Sequence, residues 1–196
     1  MPSRSFLILA CATFAACSSG DRAPARAPDA SHTPVAQGSA APSPVATATW
    51  RVTYAGIGPL RAGLTMPEAA ALLQTTFAIP NPADTAACDQ LSWDGAPVGV
   101  SVLVENGRIG RVDVASGTVT TEAGARIGDT EERIKSLYPG RVTVEPHHYT
   151  DGHYLIVTPE LPADSAFRIV FETDSNRVTM YRAGKLPQVK YVEGCA

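Results

Sequence analysis

The sequence predicts an α+β fold, a single domain in which a short helix packed on antiparallel strands occurs twice in tandem. Three observations predict it. Arg61, Gly63, Thr65, Ala69 and Leu72 match Arg126, Gly128, Thr130, Ile134 and Leu137 at one constant offset. After each of these segments come stretches in which apolar residues alternate, the period of a half-buried strand. Turn-forming groups, Asn106-Gly107, Asp151-Gly152 and Asp174-Ser175-Asn176, separate those stretches. Repeats are expected over about 49–115 and 116–196.

In each copy a glycine turn leads into a helix start. Thr65 with Glu68, and Asp129 with Glu132, have the spacing of a capping box, in which side chain and backbone satisfy each other's orphan donors. Pro67 fits the first helical turn, where no amide partner is lost. Ala69, Leu72 and Leu73 form one apolar stripe, and Ile134, Leu137 and Tyr138 form another, so both helices need a surface to lie on.

The strands supply that surface. Val98, Val100, Val102 and Val104 alternate up to Asn106-Gly107. A three-residue loop, Glu105-Asn106-Gly107, sets Val100 opposite Val112 and Val98 opposite Val114. A two-residue loop would set valines against Arg111 and Asp113, so the longer loop is the expected one. In the second copy Phe167, Ile169 and Phe171 alternate, Asp174-Ser175-Asn176 turns, and Arg177 to Arg182 returns. A further hairpin, Arg141 to Tyr149 with His153 to Thr158, is expected to close through a type I′ turn at Asp151-Gly152.

The first 48 residues read differently. Arg4 precedes an apolar run, Phe6 to Ala16, that is shorter than the ~20 residues a spanning helix needs, so it reads as a signal peptide, 1–16. Phe14-Ala15-Ala16-Cys17 resembles a bacterial lipobox, with Phe14 in place of the usual leucine, which makes Cys17 the lipidation site. Cys11 is a rival that would leave a very short apolar region, and plain secretion with cleavage near Ala16 is the alternative. Ser18, rather than Asp, resembles lipoproteins sorted to the outer membrane. From 17 to 48 the chain is Ala, Pro and Ser-rich with no aromatic residue, too poor in apolar surface to offset ordering entropy. It is expected to be a disordered tether spanning roughly 30 Å as a coil. The localisation this implies is the cell envelope, an outer-membrane lipoprotein facing the periplasm, with the membrane as partner through the lipid.

A Gly-x-Thr turn, short helix and antiparallel strands, given twice behind a lipobox, resembles the small envelope lipoproteins of the SmpA/OmlA type. The same arrangement is similar to the tandem-repeat β-lactamase inhibitory proteins. The specific motif is Gly63-x-Thr65 and Gly128-x-Thr130. The resemblance implies a non-catalytic protein-binding module, and it carries over no family site residue.

Cys88 and Cys195 are the two domain cysteines, and in an oxidising compartment they are expected to form a disulfide that fastens the C-terminal tail. A redox-active or metal-binding pair is the other reading, but neither has a Cys-x-x-Cys neighbour or a nearby histidine. His147-His148-Tyr149-Thr150-Asp151-Gly152-His153 is the one dense polar cluster. Imidazoles and a carboxylate suit Zn²⁺ or Cu²⁺. With Asp151-Gly152 as the loop, His148 and His153 share a face as diagonal neighbours, while His147 points away with Tyr149 and Tyr154. Two imidazoles and Asp151 make an open site, so the cluster reads as a polar hairpin tip, and neither a metal nor another cofactor is expected.

No nucleophile elbow occurs, and Glu131-Glu132 sit where they complement a helix dipole. Aromatic residues are 7% of the chain, against a long carbohydrate groove, although Trp93, Tyr149 and Tyr154 have the chemistry to stack on one sugar. A net charge of −3 argues against nucleic acid. The expected function is therefore binding to another envelope protein, not catalysis. The contacts would be a concave sheet surface, the Gly58-Pro59 loop, and the hairpin residues His148, Tyr149, Asp151 and His153. Inhibition of a hydrolase, or binding of a sugar or metal, is the alternative.

Overall fold

The computed structural model describes residues 50–77 and 87–195. The expected signal peptide (1–16), Cys17 and the expected tether (17–48) lie outside the described residues. Within them the chain is a mixed α/β structure that is mostly sheet, with two α-helices and two sheets. None of the helices among the described residues is long and apolar enough to cross a membrane.

The small sheet contains β1 (Arg51–Thr53), β2 (Gly56–Ile57), β3 (Leu60–Arg61) and, far along the chain, β7 (Thr120–Thr121). Its order is β3-β2-β1-β7, and β7 runs parallel to β1. The large sheet is wholly antiparallel. Its first strands are β4 (Cys88–Leu91), β5 (Val100–Glu105) and β6 (Arg108–Val114). After them come β8 (Val142–Pro146), β9 (His153–Val157), β10 (Phe167–Asp174) and β11 (Arg177–Lys185). The order is β4-β5-β6-β11-β10-β9-β8, so β6 and β11 meet at the centre.

Each helix is docked on one hairpin by a similar set of backbone bonds. α1 (Met66–Leu73) has the expected capping box, with Thr65 accepting from the Glu68 amide and Glu68 reaching back to the Thr65 amide. The turn before it joins the β5–β6 hairpin through Gly63 N–H to Ile109 O (2.7 Å) and Ile109 N–H to Leu64 O (2.9 Å). α2 (Glu131–Leu137) follows a turn joined to the β10–β11 hairpin through Gly128 N–H to Val178 O (2.8 Å) and Val178 N–H to Asp129 O (2.9 Å). Arg108 and Arg177 each donate to a turn carbonyl, of Gly63 and Gly128. The second cap corrects the expectation. Thr130, not Asp129, caps α2, accepting from the Arg133 amide, while Asp129 turns back to accept from the Arg126 amide.

The hairpins also depart from the expected registers. Both turns are two-residue loops, Asn106-Gly107 and Ser175-Asn176, and the positive φ of Asn106 (54°) and Gly107 (69°) fits a type I′ turn. What rescues the apolar pairing is a β-bulge after each turn, at Gly110 and at Thr179. One extra residue reverses the alternation, so Ile109, Val112 and Val114 reach one face, as do Val178, Tyr181 and Ala183. Val102 consequently lies opposite Val112, and Val100 opposite Val114. Val98 precedes β5 and is 76% exposed, because Gly99 turns the chain there at φ +75°.

The main core fills the space between one face of the large sheet, both helices and the small sheet, with Phe171, Tyr181, Ile57, Leu60 and Ile134 fully buried. Leu72 departs from its expected stripe and is 52% exposed; α1 buries Met66 and Ala69 and packs Leu73 instead. Trp93 is buried in this core, beside Trp50 and Phe77. The opposite face carries a second, smaller core of Tyr154, Ile156, Val170 and Val189. Val189 belongs to a C-terminal strap, from Leu186 to Cys195, whose single turn Gln188–Lys190 packs on β6, β10 and β11. The central strands are therefore covered on both faces, and the expected open concave sheet surface is not present there.

Candidate binding cleft

Beneath the strap lies a row of charged side chains that alternation places on the second face. Arg111 Nε donates to Asp113 (3.0 Å), and both are buried. Arg182 pairs with Glu172, and Glu172 also meets His147 Nε2 at 3.3 Å. The strap supplies further acceptors to both guanidinium groups: Arg111 donates to the carbonyls of Gln188 and Tyr191, and Arg182 Nε to the carbonyl of Val189 (2.7 Å). Burial pulls the Arg111 guanidinium down and pushes the Asp113 carboxyl up, each opposed by the charge of the other. Gly184 has to be glycine, since a Cβ there would lie 2.5 Å from Arg111 Cα.

At the end of this row is the loop that joins β8 to β9. Its partners Pro146 and His153 enclose residues 147–152, so the expected two-residue turn at Asp151-Gly152 is replaced by a longer loop. His147 organises it. Its Nδ1 accepts from the amides of Tyr149 (3.1 Å) and Thr150 (3.2 Å), which leaves the imidazole proton on Nε2, facing Glu172. Its ring stacks on Tyr154, with centroids 4.5 Å apart, and its amide donates to Gly152 O. Gly152 sits against β10, where a Cβ would fall 1.9 Å from Thr173 O.

The longer loop also separates the two histidines that were expected to share a face. His153 lies on the main-core side, with Nδ1 2.7 Å from Glu131 at the start of α2. His148 lies on the strap side, with Nδ1 3.4 Å from the Tyr154 hydroxyl. A joint metal site of His148 and His153 is thus ruled out by register, and no group of three or more His, Cys, Asp or Glu among the described residues is placed to hold a metal. Asp151 is exposed at the loop.

Glu131 binds three neighbours: His153, the Thr173 hydroxyl (2.9 Å) and Lys135 (3.4 Å). Burial raises its carboxyl, but the hydrogen bonds from His153 and Thr173 outweigh burial and hold it below the usual carboxylate range. An acid, an imidazole and a hydroxyl are all here, yet the hydroxyl donates to the acid, not to the imidazole, and Thr173 is buried. Nucleophile activation needs hydroxyl and base hydrogen-bonded to one another. The trio clamps α2 to the sheet.

Cys88 and Cys195 are bonded, tying the strap to the edge strand β4. Between this disulfide, the end of the strap and the 147–152 loop lies a surface cleft of ≈ 590 Å³. Glu105, His148, Tyr149, Tyr191 and Glu193 line it. Tyr149 is 66% exposed, and its hydroxyl donates to Glu193, a bond that raises the phenol pKa. Of the three aromatics considered for sugar stacking, Trp93 and Tyr154 are buried in different cores, so only Tyr149 is available. The Gly58-Pro59 turn belongs to the small sheet, whose Ile57 and Leu60 pack into the main core, and it does not line this cleft. The sequence reading fastened the C-terminal tail through the disulfide but missed its path across the sheet and the charged row beneath it; the alternation Arg111-Val112-Asp113 was the available signal. No protein-family model, curated protein or solved structure matches the chain.

Proposed function

We propose that the chain is an outer-membrane lipoprotein, cut after residue 16 and lipidated at Cys17, whose periplasm-facing domain binds another envelope protein without catalysis. One observation carries the binding part: Tyr149 stands exposed at the rim of the ≈ 590 Å³ cleft, on a loop held in shape by His147. An aromatic anchor beside a pocket, on backbone that pays little ordering entropy on contact, is where binding energy concentrates. The lipid part rests on the lipobox-like Phe14-Ala15-Ala16-Cys17. The domain is proposed to be a tandem repeat of the SmpA/OmlA and β-lactamase inhibitory protein kind. In support, the bonds of Gly63, Leu64 and Arg108 have counterparts at Gly128, Asp129 and Arg177, and the two bulges fall at matching places.

A photoreactive residue replacing Tyr149 tests the binding part in intact cells. Recurrent capture of an integral envelope protein supports it, a soluble hydrolase supports the inhibitor alternative instead, and a pattern no different from a probe at Glu132 on α2 refutes both. For the lipid, the mature wild-type chain is expected to carry a mass increment that Cys17→Ser abolishes; an unmodified Cys17 refutes that part.

A further inference from the structure

The cleft under the end of the strap has a one-sided chemistry. Two carboxylates, Glu105 and Glu193, and two phenol rings, Tyr149 and Tyr191, line it, with no lysine or arginine among the lining residues. Neither carboxylate forms an ion pair with another described residue. Their partners are neutral donors: the Gln188 side-chain amide meets Glu105 at 2.7 Å, and the Tyr149 hydroxyl meets Glu193. The nearby cations are committed elsewhere. Lys190 bonds Glu145 (3.2 Å), and Arg111, behind Gly194, is taken up by Asp113 and two strap carbonyls. The base facing the cleft is His148.

We propose that this cleft takes an organic cation, the guanidinium or ammonium group of an arginine- or lysine-like ligand. Carboxylates supply charge-assisted acceptors for such a group, and phenol rings attract it through their faces while covering its apolar stem. The volume, ≈ 590 Å³, falls within the roughly 300–1,000 Å³ of ligand sites. The Tyr149–Glu193 bond is a latch that the ligand displaces, since one neutral hydroxyl holds an acceptor that a cation binds more strongly. The inference deepens the proposed function and rests on it only for the source of the cation, a basic side chain of the partner protein; a free cation satisfies the same chemistry.

The test is a ¹H–¹⁵N NMR titration of the full chain in non-ionic detergent with L-arginine amide, with the capped peptide Ala-Ala-Arg-Ala-Ala, and with N-acetylglutamate as the anionic control. Saturable shifts at Glu105, Tyr149 and Glu193, absent with the anion, are expected. Glu105→Gln with Glu193→Gln should weaken binding at least tenfold. Tyr149→Phe, which frees Glu193, should tighten it a few-fold, and this variant leaves the buried structure alone should the double substitution fail to fold. Equal shifts with cation and anion, or no saturation, overturn the proposal. Binding of both cations means a free cation suffices, and binding of the peptide alone means a presented side chain is required. Capture of an envelope protein at Tyr149 without any arginine effect would sink the cation inference and leave the protein-binding reading standing; arginine binding without capture would do the reverse.

Discussion

Replacing both domain cysteines, Cys88→Ser with Cys195→Ser, separates what the disulfide does to the native strap from what it does to the unfolded chain. The strap has other attachments: Val189 is 0% exposed, and Arg111 and Arg182 bond its carbonyls at 3.0 and 2.7 Å. Those contacts keep it docked without the covalent bond, so the main loss falls on the unfolded chain. The cysteines are 107 residues apart. Chain entropy for a loop of that length is worth about 5 kcal/mol at 25 °C. For a domain of this size that lowers Tm by roughly 10–20 °C. Melting of the double variant followed by circular dichroism, beside wild type with and without reductant, measures the effect. Hydrogen exchange at the Lys190 and Tyr191 amides, which bond Pro187 and Gln188 carbonyls, reports on the native strap. The reasoning fails if Tm moves by less than about 3 °C. It also fails if the two amides exchange at free-peptide rates in the folded variant, since the bond would then be holding the strap in place directly.

Two further substitutions probe the buried polar groups. Glu131→Gln, which weakens the bonds to His153, Thr173 and Lys135, should cost about 1–3 kcal/mol at neutral pH in urea unfolding. Because the Glu131 carboxyl is held low in the folded state, its contribution is present above the unfolded value of about 4.3 and is lost as pH falls through the folded one. The gap between wild type and variant should therefore close in acid, and a gap constant with pH would contradict the assignment. Arg182→Met leaves the buried carboxylate of Glu172 with only His147 and should cost about 3–5 kcal/mol. Adding Glu172→Gln should restore part of that loss in a double-mutant cycle, and strictly additive losses would show that the pair is not coupled.

Local chemistry was legible where one residue type answers one local need. Thr65 and Glu68 satisfy the orphan amides of α1, so that cap can be placed from spacing alone, whereas Asn106-Gly107 marks where the chain turns but not the length of the loop. The second helix cap misled because Asp129 and Thr130 are both good caps and only the backbone path chooses between them. Registers misled for a related reason. A bulge at Gly110 or Thr179 inserts one residue to satisfy burial on a sheet, and counting back from the turn cannot locate it. For the histidines the error was larger. His147 bonds two amides of its own loop and stacks on Tyr154, which draws six residues out of the hairpin and sends His148 and His153 to opposite faces.

Reading the chain alone was enough for the mixed helix-and-sheet character, the capped start of α1, the places of the turns at Asn106-Gly107 and Ser175-Asn176 and the pairing of Cys88 with Cys195, because periodicity, local hydrogen bonding and a single pair of domain cysteines are near-neighbour or compositional properties. It also suggested which hairpin carries the exposed tyrosine. The cleft belongs to a different order of information. It exists because a strap that is unremarkable in sequence lies across β6, β10 and β11, where two buried arginines need its carbonyls, and because that path brings Tyr191 and Glu193 beside Tyr149 and Glu105. Contacts between residues that far apart depend on where the whole sheet puts its second face, and no local pattern encodes that.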